Sequence, residues 1–246
     1  MLTSVHVADV GPKAPLWRPP KSIAGLTRAD GGMTARLSSS AKPAIEMGRI
    51  AMIASWQSES SLDSFLDTVG REFRDGWSAR CEVIRASGKW PGVPTDVPSE
   101  RTPEKDEPVI VVSRAQIHLP KLATVLKFNA EANGAMLMSD SLRWGTTFSA
   151  GSLFGSITMW RSAEAMAKAA YDVRSGFGNV TALLKDEVDG VRDGEGFHGE
   201  GGHRGAMGQN VSDPLYKEFS YVRLRPLSIK GTVVGKNPLN RQVFDD

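Results

Sequence analysis

The sequence has a single cysteine, Cys81, among its 246 residues. One cysteine excludes an intramolecular disulfide and any cysteine-rich metal site, and it is typical of a protein in a reducing, cytoplasmic compartment. Cys81 lies in a strand predicted over residues 79–86, where we expect it to be a small core side chain rather than a reactive thiol.

Long apolar runs and an excess of one charge are also absent. No stretch approaches the roughly 20 apolar residues that a membrane helix needs, and the first residues lack the basic-then-apolar pattern of a signal peptide. Thirty Lys and Arg face 28 Asp and Glu, which gives a net charge of +2. Charge therefore gives no reason to expect nucleic-acid binding, and we expect a cytoplasmic protein without a transmembrane segment.

Histidine is scarce, with only His6, His118, His198 and His203 in the chain. His198 and His203 lie in a glycine-rich segment, and their spacing without a helix or a nearby cysteine is not typical of a metal site. No Ser-His-Asp order, paired-carboxylate signature or His-Glu-x-x-His motif occurs. We therefore predict no metal centre, and nothing in the sequence favours a hydrolase.

A repeated pattern is the most informative feature that the sequence does contain. The segments Ile53–Ser58 and Ile157–Ser162 each read as the end of a strand closed by a tryptophan, followed by a serine and then by apolar residues at helical spacing. The two tryptophans, Trp56 and Trp160, are 104 residues apart (160 − 56). We expect Ser60 or Ser61 to cap the first of the two helices.

A second repeat follows each of these patterns. The Gly-x-x-x-Gly segment at 88–92 is echoed at 231–235, in each case after a predicted strand. Two similar units in one chain predict an α+β fold, with tandem ferredoxin-like units forming an α+β barrel-type domain. We place the units at residues 47–133 and 134–239, followed by a tail at 240–246.

Three segments outside the predicted elements are rich in proline, glycine or charge. Residues 1–46 are predicted to form an irregular N-terminal arm, with docking of that arm through Leu16 and Trp17 as the alternative. Residues 93–108 and 189–212 are predicted to be mobile loops, and the second of these is also a candidate lid over a pocket.

The candidate ligand site follows from polar and aromatic residues on the predicted strands. Arg114 lies in an otherwise apolar strand, so a buried guanidinium needs an anionic partner, either a ligand oxygen or an internal Asp or Glu on a helix. We predict a pocket for a small apolar ligand between the sheet and its helices, walled by Arg114, Trp144, Trp160, Tyr171 and Arg223.

Short motifs along residues 48–239 resemble those of spheroidene monooxygenase-like proteins, a family of carotenoid-modifying oxygenases. The motifs share their order with that family and are Trp77-Ser-Ala-Arg80, Gly88-Lys-Trp90-Pro-Gly92, Ser113-Arg114-Ala115, Ser156-Ile-Thr-Met-Trp160, Ala170-Tyr171, Glu218-Phe219-Ser-Tyr221-Val-Arg223 and Gly231-Thr232. The resemblance implies a dimeric α+β barrel type of fold and oxygen chemistry that involves haem.

One departure from the family bears on the cofactor. The family carries a histidine a few residues beyond the position of Tyr171, whereas residues 172–178 contain none here. If haem binds, His118 at the end of a predicted strand becomes the candidate axial ligand. Two hypotheses follow: a monooxygenase-like oxidoreductase acting on an apolar, isoprenoid or carotenoid substrate, and a non-catalytic protein of the same fold that binds a small apolar ligand or a protein partner.

Overall fold

The computed structural model describes residues 2–88, 90–93, 97, 107–171, 215–233 and 235. Its strands, in chain order, are β1 Leu2–Asp9, β2 Leu26–Arg36, β3 Ala44–Trp56, β4 Trp77–Gly88, β5 Val109–Ile117, β6 Leu142–Ala150, β7 Leu153–Trp160 and β8 Tyr216–Lys230. The helices described are α1 Glu59–Asp67, α2 Arg71–Arg74, α3 Leu122–Leu137 and α4 Ala163–Tyr171, with 3-10 turns at Gly11–Leu16 and Leu119–Lys121.

The eight strands close into one antiparallel barrel, which confirms the barrel-type α+β class. Around the barrel the order is β1-β3-β2-β6-β7-β5-β8-β4, and β4 pairs with β1 to complete the circle. Strands β1–β4 and strands β5–β8 each follow the order fourth, first, third, second. The two sets are joined where β2 pairs with β6 and β4 pairs with β8.

Trp56 and Trp160 occupy equivalent positions in this pairing. Each tryptophan ends the third strand of its set and lies opposite the first residue of both neighbouring strands. The following helices are also capped alike, because Ser58 accepts a hydrogen bond from a backbone N–H at 3.2 Å and Ser162 accepts one at 3.1 Å. The capping residue of α1 is therefore Ser58, and the expectation of Ser60 or Ser61 is wrong.

The two Gly-x-x-x-Gly segments are equivalent as well. All four of their glycines have positive φ angles, 73° and 79° in 88–92 and 76° and 69° in 231–235. This left-handed conformation is one that glycine adopts without a steric cost. It turns the chain back over the barrel, so that Trp90 and Val233, each 3% exposed, join the apolar cluster inside it.

Side chains alternate between this interior and an outer layer under the helices. The interior cluster is formed by inward residues of β1 and of β3 to β8. On the outer face, one cluster packs β1 and β3 against α1 and α2, and another packs β5, β6 and β7 against α3 and α4. Cys81 lies in the interior, where burial raises the pKa of its thiol, as expected for a core residue.

The prediction that residues 1–46 form an irregular arm is wrong. They supply β1, β2 and the start of β3, and both faces of β1 are buried, one in the barrel and the other under α1 and α2. Because both faces are covered, small and polar residues such as Thr3 and Ser4 take strand positions without the alternation that marks a half-exposed strand. The prolines of this segment fall in the 3-10 turn, in the loop that follows it and, for Pro43, in the loop between β2 and β3.

Two further expectations concern the boundaries between segments. Helix α3 runs through the boundary predicted between residues 133 and 134, so the chain does not divide there. Most of the loop predicted at 93–108, all of 189–212 and the tail at 240–246 lie outside the described residues. Among the helices that the structure describes, none has both the length and the apolar character required to cross a bilayer.

Candidate functional site

Four of the five residues predicted to wall one pocket have described side chains, and these four lie on two sides of the sheet. Arg114 and Trp144 face the barrel interior, whereas Trp160 packs in the outer layer under the helices. Arg223 alternates with inward residues of β8 and so belongs to the outer face. Tyr171 is the last residue of α4, and its side chain lies outside the described part of the chain.

Arg114 is buried in a charged cluster at one end of the barrel, whose Glu218 is exposed and whose Arg28 is partly exposed. Its Nη1 donates to Glu218 at 2.8 Å, and its Nε lies 3.3 Å from Oδ2 of Asp30, which is 3% exposed. Asp30 also accepts two hydrogen bonds from Arg28, at 2.7 and 3.1 Å, and one from the Trp90 indole at 2.8 Å. We call these five residues the charged mouth.

Arg114 forms internal ion pairs, which is one of the two alternatives that the sequence left open. The predicted partner was a carboxylate on a helix, whereas Asp30 and Glu218 both lie on strands. Two guanidinium groups face two carboxylates, so the formal charges of the cluster cancel. The contact with Asp30 raises the pKa of Arg28.

Buried hydroxyl groups face inward near the charged mouth. Thr3, Ser55 and Ser220 share the inner face with their apolar neighbours along β1, β3 and β8, and each is at most 1% exposed. None of the three hydroxyl oxygens has a hydrogen-bond partner, and the same is true of Arg114 Nε. Ser55 pairs with Thr3 and Arg28, while Ser220 pairs with Arg114, so the strand register places them around the same end of the barrel.

On the outer face of the first half, a buried hydrogen-bond relay ends at His6. The Trp56 indole donates to the Ser4 hydroxyl at 2.8 Å, and the Ser4 oxygen lies 2.7 Å from His6 Nε2. His6 Nε2 is the only acceptor within reach that the structure gives for the Ser4 proton, so we assign that proton to this bond. His6 Nδ1 then carries the ring proton, and this atom has no partner.

Burial, with a smaller effect from Arg80, lowers the pKa of His6 to about 3. The cationic form would have to be desolvated under α1 and α2, where Phe65 and Phe73 pack near the ring. The imidazole is therefore neutral at physiological pH. It acts as a hydrogen-bonding group rather than as a charge.

His6 lines a cleft between α1 and the seam of β4 and β8. The cleft is shallow and encloses about 10 Å³, the space of a single water molecule, and beyond this it opens to solvent. Its lining residues combine apolar, hydroxyl and basic side chains: His6, Leu62, Leu66, Ser78, Ala79, Arg80, Ser228 and Lys230. We call it the His6 cleft.

The basic residues at this cleft differ in how they are held. Arg80 forms an ion pair with Asp63 of α1, and its Nη1 lies 3.5 Å from Glu59. Lys230 is exposed at the end of β8, opposite Ser78. Helix α1 thus fixes the Arg80 guanidinium beside the cleft, while Lys230 can reach into it from the rim.

The His6 cleft was missed in the sequence because His6 was assigned to an irregular arm. The signal that could have found it is the spacing of Ser4, His6 and Ala8, which places all three on one face of a strand. His118, the candidate haem ligand, caps the 3-10 turn after β5 and makes backbone hydrogen bonds with Leu215 and Lys121. Both are backbone contacts, so they leave the direction of its imidazole unspecified.

Comparison with known proteins shows a similarity of fold. No family model matches the chain, and no curated protein matches it. A solved structure of an aldoxime dehydratase in complex with butyraldoxime is 9% identical, with a TM-score of 0.51, over 98% of this chain and 85% of that chain. At this identity the match shows a shared fold and nothing of the reaction.

Weaker likenesses involve monooxygenase-related proteins. A candidate monooxygenase from Fusobacterium nucleatum is 7% identical, with a TM-score of 0.36, over 94% of each chain. A ferredoxin-fold protein related to antibiotic biosynthesis monooxygenases, from Listeria monocytogenes, is 10% identical, with a TM-score of 0.27, over 90% of this chain and 94% of that chain. These values are too low to support an argument about function, and none of these matches concerns a carotenoid enzyme.

Proposed function

We propose that this protein binds a small, mainly apolar ligand with an acceptor oxygen in the His6 cleft and acts on it as a monooxygenase-like oxidoreductase. The observation that carries the proposal is the Trp56–Ser4–His6 relay, which leaves a buried Nδ1–H without a partner in a residue that lines the cleft. A buried N–H without a hydrogen-bond acceptor destabilises the folded protein, and a ligand carbonyl or hydroxyl oxygen could accept this hydrogen bond. The alternative is a non-catalytic protein that binds the same ligand.

The catalytic form of the proposal is favoured by the exposed cation at the rim of the cleft. Lys230 together with a neutral imidazole donor would stabilise negative charge that develops on a ligand oxygen, whereas the charge of Arg80 is already balanced by Asp63 and Glu59. An isoprenoid or carotenoid remains part of the proposal only as an end group, because the shallow His6 cleft cannot enclose a whole carotenoid. We further propose that the two strand sets are tandem ferredoxin-like units, which fits their shared strand order.

The test uses acetophenone as the probe and ethylbenzene, which lacks the oxygen, as its matched control. Binding is followed through the Trp56 indole N–H resonance, because this group donates to Ser4 at the start of the relay. We expect a saturable shift with acetophenone and a weaker one with ethylbenzene. His6→Gln should reduce the acetophenone affinity at least tenfold, whereas Ser113→Ala, at the equivalent outer position of the second half, should not.

Oxygen uptake, measured with an electrode in the presence of NADH as a two-electron donor, then separates the two forms of the proposal, because a monooxygenase inserts one oxygen atom and reduces the other to water. Uptake that depends on the bound ketone and is lost in His6→Gln supports the oxidoreductase. Saturable binding without uptake supports the non-catalytic alternative, and no binding removes the His6 cleft as the site. An absorption spectrum of protein purified after haem supplementation tests the haem prediction, and a Soret band that persists in His118→Ala would exclude His118 as the ligand.

A further inference from the structure

The charged mouth has a counterpart at the opposite end of the barrel. Trp56 and Trp160 are equivalent in the strand pairing. Counting residues back from each tryptophan, and across to the paired strand, therefore gives for each inward position of strands β1–β4 the equivalent position of strands β5–β8. The opposed pairs of β1 with β4 and β5 with β8 extend the match. The polar positions and their counterparts are Thr3 with Ile110, Ser55 with Met159, Arg114 with Val7 and Ser220 with Trp77.

Every one of these counterparts is a buried apolar residue, with no more than 3% of its surface exposed. The barrel therefore closes one of its ends without any hydroxyl or guanidinium at these four positions. Polar groups at the other end are not a requirement of the fold. Buried hydroxyls without partners are costly and rare in folded proteins, so their presence needs another reason.

We propose that the charged mouth, with Thr3, Ser55 and Ser220, is a binding site for a small uncharged polar molecule such as a polyol. Three buried hydroxyl groups have no hydrogen-bond partner, and Arg114 Nε–H has an ion-pair contact with Asp30 but no hydrogen bond, so these groups offer several donors and acceptors around one end of the barrel. This site faces the barrel interior, whereas the His6 cleft lies on the outer face, so the two are independent.

The charges of the mouth select against an anion. Arg114 Nε lies 3.3 Å from an Asp30 oxygen, and Nη1 is bonded to Glu218, so both carboxylates already neutralise the guanidinium. An anionic ligand at Nε would lie beside the Asp30 carboxylate in a water-poor site, where like charges repel strongly. A neutral ligand meets the same donors without that cost.

Trp90 provides a reporter for this site because its indole donates to Asp30 and its ring closes the mouth. The experiment titrates the full chain with glycerol and follows the Trp90 indole N–H resonance. Trp77 at the opposite end is the internal control. We expect a saturable shift of Trp90 without one of Trp77, and an at least tenfold weaker response to glycerate, the anionic analogue.

Substitution separates binding from structure. The triple variant Thr3→Val, Ser55→Ala, Ser220→Ala should lose the glycerol response and unfold at the same or a higher temperature than the parent, because it removes hydroxyls that lack partners. Thr158→Val is the matched control: this hydroxyl is equally buried but accepts from Trp160 and donates to Val111 O. It should lower the unfolding temperature and leave the glycerol response unchanged.

Three results would overturn the proposal. The first is the absence of any saturable Trp90 shift with glycerol, ethylene glycol or urea in the folded parent. The second is a response to glycerate as strong as that to glycerol. The third is a triple variant that either keeps the Trp90 response to glycerol or loses as much stability as Thr158→Val. If the triple variant does not fold, Ser55→Ala alone is judged by the same two criteria.

Discussion

At the charged mouth Asp30 and Arg114 meet across the barrel, whereas the equivalent positions at the other end hold Thr146 and Val7. That other end is closed by the packed rings of Trp77 and Trp144, 5.8 Å apart, and we call these two residues with Val233 the tryptophan mouth. The same backbone arrangement thus accepts an ion-pair network at one end and an apolar plug at the other.

The two ends of the barrel are stabilised by different interactions. At the tryptophan mouth, stability comes from apolar area removed from water, a term that does not depend on any single partner. At the charged mouth, each buried charge depends on its partners, so losing one partner exposes the desolvation cost of the others. The two ends should therefore respond very differently to single substitutions.

The largest expected effect is that of Asp30→Ala. It removes the carboxylate that meets Arg28, Trp90 and Arg114, and it should lower the free energy of unfolding by about 3–5 kcal/mol. Thr146→Ala, at the equivalent position, removes a hydroxyl that donates to Ala35 O at 3.1 Å and should cost about 1 kcal/mol. Urea denaturation of both variants measures the difference, and equal losses would contradict the comparison.

A double substitution sharpens this result. Asp30→Thr with Arg114→Val copies the residues of the tryptophan mouth into the charged mouth. Because it removes both the carboxylate and the guanidinium that depends on it, we expect it to be more stable than Asp30→Ala by about 2 kcal/mol. A double variant less stable than Asp30→Ala would mean that the two ends do not accept each other's residues.

The next largest effect concerns the two equivalent plugs. Trp90→Ala removes a fully packed indole and a donor to Asp30, and we expect a cost of about 3–4 kcal/mol. Val233→Ala removes only two methyl groups from the same interior cluster and should cost about 1–2 kcal/mol. Trp90→Phe keeps most of the volume, so comparing it with Trp90→Ala in denaturation separates packing from the hydrogen bond.

Local patterns in the sequence predicted the repeated parts of this fold. A strand that ends in tryptophan and a Gly-x-x-x-Gly turn are each set by neighbouring residues, which is why both copies are found where the repeat places them, whereas the cap of α1 is Ser58 and not Ser60 or Ser61. The prediction of the barrel class rested on the presence of two such patterns in one chain. By contrast, β1 and β2 were missed because their residues are covered on both faces, which removes the alternation that marks a strand in the sequence.

The candidate sites were predicted less well because they depend on contacts between distant segments. Arg114 was singled out correctly as a charge that needs a partner, but Asp30 lay in the segment predicted to be an arm. Trp144 and Trp160 were expected in one pocket, yet a one-residue bulge after the first residue of β6 sets the face on which Trp144 lies. The spacing that places His6 on one strand face with Ser4 and Ala8 is informative only once residues 2–9 are known to form a strand.

A smaller effect is expected on the outer face, where His6 of the first half corresponds to Ser113 of the second. The pKa of His6 is about 3 in the folded state and near 6.5 when unfolded, so the unfolded state binds the proton first as pH falls. Stability conferred by the neutral ring is full above pH 6.5 and declines as pH falls toward 3.

Denaturation at several pH values between 6.5 and 4.5 measures this slope. His6→Gln should flatten it, because the replacement cannot take up a proton. Ser113→Ala, which loses only a hydroxyl bonded to Ser156 at 2.7 Å, should leave the slope unchanged. An unaltered slope in His6→Gln would show that the ring is not held neutral by burial.

The smallest expected effect tests the equivalence on which the comparison depends. Ser58 and Ser162 each follow their tryptophan by two residues and each accept one backbone hydrogen bond at the start of a helix. Ser58→Ala and Ser162→Ala should therefore each lower the free energy of unfolding by about 1 kcal/mol, and the double variant by the sum, because the two caps are on separate helices. Urea denaturation of the three variants measures these losses.

A loss at one cap without a loss at the other would mean that equivalent positions in the two halves do not carry equivalent energies. The contrast between the charged mouth and the tryptophan mouth would then have to be attributed to differences in the backbone as well as to the side chains.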